Sequence, residues 1–170
     1  PVGLAAAAHV LSRNLKPLVV ETGDAVAAGI RRWAHVRMFS PWKFNVDAAA
    51  ADLLTRRGWT VPHPDDYPTG GELVARYLEP LAGTPELSPY IRLKTRVTAV
   101  ARRDHDLMKD GARADAPFVV RVMSEFGEEE ILAQAVIDAS GTIETPGPLG
   151  ASGLPALGER SLAGRIFYGI

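Results

Sequence analysis

An alanine-rich helix that begins at a glycine, followed by a short apolar strand ending in an acid, constrains the fold of this chain most. Apolar side chains recur at helical spacing over residues 2–13, and Gly3 stands at the start of that segment. The largely β-branched run 18–20 then predicts a strand, which ends at Glu21. Small alanines allow the helix to pack close to a sheet, so the pattern favours an α/β unit.

The spacing of Gly3 and Glu21 matches the second half of a dinucleotide-binding fingerprint. If Gly3 is the third glycine of G-x-G-x-x-G, a strand and two glycines precede Pro1. Backbone N–H groups around Val2 and Gly3 would then face a diphosphate at the positive end of the helix. Glu21 would accept hydrogen bonds from an adenosine ribose and repel a 2′-phosphate, which favours FAD or NAD over NADP at this site. The alternative is that Gly3 is an ordinary helix-start glycine and Glu21 an ordinary strand-end acid.

Composition excludes several other classes of protein. The 170 residues carry a formal charge of −1, which gives no electrostatic reason to expect a nucleic-acid partner. The chain lacks cysteine, so it holds no disulfide and no cysteine-rich zinc site, and His63 and His105 do not form a metal-ligand spacing with each other. No apolar run is long enough to span a membrane. We therefore expect a cytoplasmic protein without a metal.

The rest of the chain divides into helices followed by strands. Asp47 predicts the cap of a helix that stops at Gly58, and Thr69 precedes a second helix that continues past Pro80. Alternating and β-branched runs in the second half predict strands joined by a polar insert around Lys109. The last of these strands is the segment GRIFYGI at residues 164–170.

Four stretches together resemble the flavin-dependent monooxygenases that have two dinucleotide-binding domains. The first is PVGLAAAAHVLSRNLKPLVVETGD, which is similar to the end of the glycine fingerprint, its helix and the acid-tipped strand. The segment HVRMFSPWKFN resembles the family's flavin-side loop, and YPTGGELVARYLEPLA resembles the helix before the later strands. Finally, IRLKTRVTAV followed by AVIDASGT resembles the family's Val-x-x-Val strand and its Ala-Thr-Gly loop, with serine in place of threonine.

The resemblance implies a cofactor-binding role for ten positions. Val2 and Gly3 border the FAD diphosphate, and Glu21 holds the ribose. Val97 presents its backbone to the adenine, and the loop near the cofactor is Ala139, Ser140 and Gly141. Three residues lie on the flavin side: Arg37, Ser40 and Trp42. Trp42, with Phe39 and Phe44, could alternatively fill a core beneath a loop. No catalytic side chain is assigned, because the flavin itself supplies the chemistry.

The resemblance also predicts the fold and the activity. We expect a Rossmann-like FAD/NAD(P)-binding fold with a parallel sheet, helices and an added antiparallel β-segment. Residues 1–170 would form a partial FAD-binding domain, inactive by itself, whose first strand precedes the sequence and whose NAD(P)-binding domain follows it. The implied function is that of an FAD-dependent oxidoreductase, a monooxygenase that uses NADPH or NADH and acts on a small-molecule substrate. The alternatives are a flavin-dependent reductase without oxygenation and a nonenzymatic nucleotide-binding or methyltransferase-like α/β module.

Overall fold

The computed structural model of the chain describes residues 1–106, 108, 110–143 and 145–168, which fall into two compact units. The first unit is Pro1–Ala139 and the second is Ser140–Ile170. The first unit contains the helices α1 (Val2–Ser12), α2 (Ala28–Arg31), α3 (Trp42–Asn45), α4 (Ala48–Thr55), α5 (Gly70–Leu73) and α6 (Glu79–Ala82). Its strands are β1 (Val19–Val20), β2 (Ile91–Arg92), β3 (Arg96–Arg102), β4 (Phe118–Ser124) and β5 (Gly127–Ala133).

The main hydrophobic core lies among the helices of the first unit. Helix α1 buries Leu4, Ala7 and Ala8, the face that the sequence pattern predicts. It packs against α4, which contributes Ala50 and Leu54. The small side chains on both surfaces allow the two helices to approach each other closely. The core also includes these buried residues: Ile30, Trp42, Leu73, Val74, Tyr77, Leu78, Leu81 and Leu87.

Asp47 caps α4, as predicted, and it also links that helix to α1. One carboxylate oxygen of Asp47 accepts the N–H groups of Ala49 and Ala50 at 2.9 and 3.1 Å. The other lies 2.9 Å from Nε2 of His9, and the backbone N–H of Asp47 donates to the Tyr77 hydroxyl at 3.1 Å. Burial raises the pKa of the Asp47 carboxyl, but the hydrogen bonds from Ala50 and His9 outweigh it, so the pKa lies below its usual value.

We expect Asp47→Ala to lower the free energy of unfolding by about 1–2 kcal/mol, because the first turn of α4 loses its acceptor. Urea unfolding followed by circular dichroism measures the change. Asp52→Ala on the same helix is the matched control, since its ion pair with Arg56 is exposed and spans 3.4 Å. Equal stabilities for the two variants would contradict the capping role.

The helix that begins after Thr69 is interrupted in a way that the sequence pattern does not predict. Thr69 and Glu72 form a reciprocal capping box at the start of α5, and a π-helical turn, Val74–Leu78, joins α5 to α6. Pro80 has no N–H with which to bond the carbonyl of Arg76. The indole N–H of Trp59 donates to that carbonyl at 2.7 Å instead. The helix therefore continues past Pro80, but with a wider turn before it.

Two sheets confirm the predicted fold class. Strands β1 and β2 pair in parallel, with Val19 opposite Ile91. Strands β3, β4 and β5 form an antiparallel sheet in that order, and its β3–β4 register shifts between Val97 and Ala99. Lys109, in the insert between β3 and β4, lies outside the described residues. The first unit is thus an α/β structure with an added antiparallel segment.

The second unit is organised around the Glu159 carboxylate. Glu159 is only 6% exposed, and its carboxylate accepts the backbone N–H groups of Leu149 and Ala156 and the hydroxyl of Tyr168. The strand predicted for 164–170 is wrong over the described residues. A 3₁₀ helix, Arg160–Arg165, occupies its start, residues 166–168 are not in a strand, and residues 169–170 lie outside the described part of the chain.

The hydrogen bond from Tyr168 and those from the backbone lower the pKa of the Glu159 carboxyl. A lowered pKa in the folded state stabilises that state above the usual carboxyl pKa, and the contribution is lost as the pH falls through the lowered pKa. We therefore expect acid to lower the protection factors of the Leu149 and Ala156 amides, which compare their exchange with that of unprotected amides at the same pH. Glu159→Gln should show fast exchange already at neutral pH, whereas the exposed control Glu125→Gln should match the wild type. Slow exchange in Glu159→Gln would contradict this role.

Among the described residues, none of the helices combines the length and the apolar character needed to cross a membrane.

Candidate nucleotide-binding site

The amino end of α1 offers backbone donors to a ligand. The first N–H to form a hydrogen bond of the helical type is that of Ala5, which donates to the carbonyl of Pro1 at 3.0 Å. The preceding N–H groups, those of Val2, Gly3 and Leu4, have no acceptor within the helix. No side chain caps this end, and its first turn contains no acid. An anion would therefore meet N–H groups without an intrahelical acceptor and the positive end of the helix dipole, with no competing carboxylate in the first turn of α1.

Gly3 lies beside Ala139, which brings two widely separated predicted site residues together. A Cβ atom placed on Gly3 would be 3.5 Å from the Cβ of Ala139, an ordinary contact distance. The segment that contains Ala139 therefore runs past the amino end of α1. Gly3 and Ala139 are predicted to border the cofactor, and their proximity is what that prediction requires.

Glu21 follows β1 and is tied to the segment after β2. The backbone N–H of Glu21 donates to the carbonyl of Arg92 at 2.9 Å, and the Glu21 carbonyl accepts from the N–H of Thr95 at 3.0 Å. One carboxylate oxygen accepts the N–H of Gly23 at 2.9 Å. The side chain is thus held at the carboxyl end of a strand in the parallel sheet, the edge where α/β proteins bind nucleotides.

Helix α1 packs against β1, the strand that ends just before Glu21. The helix and the acid therefore belong to one α/β unit.

The predicted flavin-side residues differ from one another in exposure. Arg37 is exposed, and its guanidinium donates to the carbonyl of Tyr67 at 2.6 Å. Ser40 donates to the side chain of Asn45 at 3.0 Å. Trp42 is 1% exposed, and its ring lies 5.5 Å from the Arg76 guanidinium carbon. The cofactor contact predicted for Trp42 stays a prediction, and its burial favours the core-packing alternative.

Two other aromatic side chains of the same segment are on the surface. Phe39 is 96% exposed and Phe44 is 74% exposed. The core-filling alternative is therefore wrong for both of them. Both are open to solvent, unlike Trp42, so a ligand can reach them without any rearrangement of the core.

The remaining predicted site residues lie on the later strands and in the second unit. Val97 is near the start of β3, at the register shift, and it is exposed. Ser140 and Gly141 belong to the second unit, and Gly141 has a φ of +72°, a conformation that favours glycine. The roles predicted for these three residues stay predictions.

Sequence reasoning missed two features of this region. His9 belongs to no sequence motif, but its Nε2 lies 2.9 Å from the Asp47 carboxylate. The sequence pattern assigns Gly23 no role at this site, but the Gly23 N–H donates to the Glu21 carboxylate at 2.9 Å. A glycine two residues after the strand-end acid is the only local signal for the second feature.

Comparison with known proteins supports the fold. No protein-family model and no curated protein sequence matches the chain. Among solved structures, an oxidized steroid monooxygenase bound to NADP is 24% identical, with a TM-score of 0.58 over 90% of this chain. OTEMO in complex with FAD and NADP is 21% identical, with a TM-score of 0.57 over 89% of this chain. The chain spans 25% of the length of each. It therefore has the fold of a segment of these monooxygenases, as the sequence resemblance predicts.

Proposed function

We propose that the chain is part of the FAD-binding domain of an FAD-dependent monooxygenase that uses NADPH or NADH. The observation that carries the proposal is the arrangement around α1: no side chain caps its amino end, Gly3 lies beside Ala139, and the helix packs against β1, the strand that leads into Glu21. The similarity to structures that contain FAD and NADP supports it.

In this proposal each residue has a limited task. The N–H groups of Val2 and Gly3 bind the diphosphate, and Glu21 accepts hydrogen bonds from the adenosine ribose. The flavin supplies the redox chemistry when it is bound, so this segment binds and orients it. Arg37 and Ser40 lie toward the flavin, Val97 offers its backbone to the adenine, and Ala139, Ser140 and Gly141 form the loop beside the cofactor.

In the complete protein, residues 1–170 form part of one domain, and the nicotinamide cofactor is bound mainly outside them. The substrate is a small molecule, nucleic acid is not a partner, and the protein works in the cytoplasm. The near-neutral charge of the chain supports the exclusion of nucleic acid.

The test is to purify the complete gene product and record its visible spectrum and its calorimetric titration with FAD. We expect a flavin spectrum, or tight FAD binding if the flavin is lost during purification, and NAD(P)H-dependent oxygenation of a product. A folded, colourless protein that ignores FAD would refute the proposal. Binding of S-adenosylmethionine instead would favour the methyltransferase-like alternative, and flavin reduction without oxygenation would favour a reductase.

A further inference from the structure

The turn that follows β1 fixes one oxygen of the Glu21 carboxylate. The N–H of Gly23 donates to Oε1 of Glu21 at 2.9 Å, in a partly buried position. A glutamate at the end of a strand otherwise rotates freely about its side-chain bonds and loses that freedom when it binds a ligand. With Oε1 held in this way, Oε2 has a defined position before any ligand arrives.

This turn has room for a glycine only. A Cβ on Gly23 would lie 2.5 Å from the Cβ of Ala28 and 3.2 Å from the carbonyl oxygen of Ala25. The first distance is far below a normal carbon–carbon contact. A side chain at this position would push the turn away from Ala28 and displace the N–H that holds Glu21.

The same turn is anchored to the segment after β2. The N–H of Lys94 donates to the carbonyl of Gly23 at 2.8 Å, and the N–H of Thr95 donates to the carbonyl of Glu21 at 3.0 Å. Thr95 is buried. These bonds fix the backbone on both sides of the carboxylate, so the position of its oxygens follows from the position of the turn.

We propose that Gly23 is a positioning residue for ribose recognition: its N–H and its lack of a side chain set the Glu21 carboxylate toward the hydroxyl groups of a ribonucleotide. This inference rests on the proposed function. It assigns the selection of ribose over 2′-deoxyribose to the turn as well as to Glu21, because a displaced carboxylate no longer meets the 2′-hydroxyl at hydrogen-bond distance.

The test uses the flavin-depleted complete gene product with ADP and 2′-deoxy-ADP as probes, titrated by calorimetry. The wild type should prefer ADP about tenfold to a hundredfold, the range expected for one hydrogen bond to a charged group. Gly23→Ala should lose most of this preference while it keeps its fold by circular dichroism. The control Gly111→Ala should keep the preference, because a Cβ there meets no described atom within 4 Å.

A second variant separates positioning from general damage. Ala28→Gly removes the atom that the new side chain would strike, so Gly23→Ala combined with Ala28→Gly should recover the preference for ADP. Full preference for ADP in Gly23→Ala alone, or no recovery in the double variant, would overturn the inference. Loss of the preference in Glu21→Ala but not in Gly23→Ala would overturn the role of Gly23 only. Full preference in Glu21→Ala would instead contradict the proposed function.

Discussion

Replacing Trp42 with alanine is expected to lower the free energy of unfolding by about 3–5 kcal/mol, the range measured for large aromatic residues removed from cores. Trp42 is 1% exposed and lies among the buried helices of the first unit. Truncation therefore leaves a cavity and also removes the ring beneath the Arg76 guanidinium. Urea unfolding followed by far-ultraviolet circular dichroism measures the change without relying on tryptophan fluorescence.

The matched control for this prediction is Phe44→Ala, two residues further along the chain. Phe44 is 74% exposed, so its truncation should change stability by less than about 0.5 kcal/mol. Trp42→Phe, which keeps most of the ring, should fall between the two. If Trp42→Ala leaves stability unchanged and weakens FAD binding instead, Trp42 contacts the cofactor as the family resemblance implies, and the packing role is wrong.

Glu21→Ala should weaken FAD binding to the complete gene product by about a hundredfold or more. The variant loses charge-assisted hydrogen bonds to the ribose, each worth about 1.5–3 kcal/mol. It also leaves the Gly23 N–H without its acceptor. The dissociation constant, measured by flavin fluorescence or calorimetry, reports the loss.

The neighbouring exposed acid provides a control for charge. Asp24→Ala removes the same charge three residues further on and should change FAD binding less than threefold, since only long-range electrostatics are altered. Equal effects of the two variants would show that net charge, rather than a contact at Glu21, governs binding.

The sequence predicts those elements whose determinants are local. Helix α1 follows from its own apolar spacing, and the start of α4 follows from Asp47, whose carboxylate caps the next turn. The start of the helix after Thr69 is predicted too, and the structure shows that its capping partner Glu72 is only three residues away. In each case the interacting groups are neighbours in the chain, so hydrophobic periodicity and capping residues are enough to predict where the helix starts.

Elements that depend on distant partners are not predictable in this way. The π-helical turn before Pro80 depends on the Trp59 indole, which bonds a carbonyl that lies 17 positions away in the chain. Trp42 is buried and Phe39 is exposed, although both stand in the same irregular segment. That segment has no helical or strand periodicity from which the buried side chain could be predicted. The role of Gly23 depends on how close Ala28 packs, which only the folded backbone shows.

The most direct measurement is a crystal structure of the complete gene product with FAD bound. The account predicts that the diphosphate oxygens accept the N–H groups of Val2 and Gly3 and that the adenosine ribose hydroxyls lie within hydrogen-bond distance of the Glu21 carboxylate. An FAD molecule whose diphosphate lies away from the amino end of α1, with Glu21 touching no part of its ribose, would contradict it.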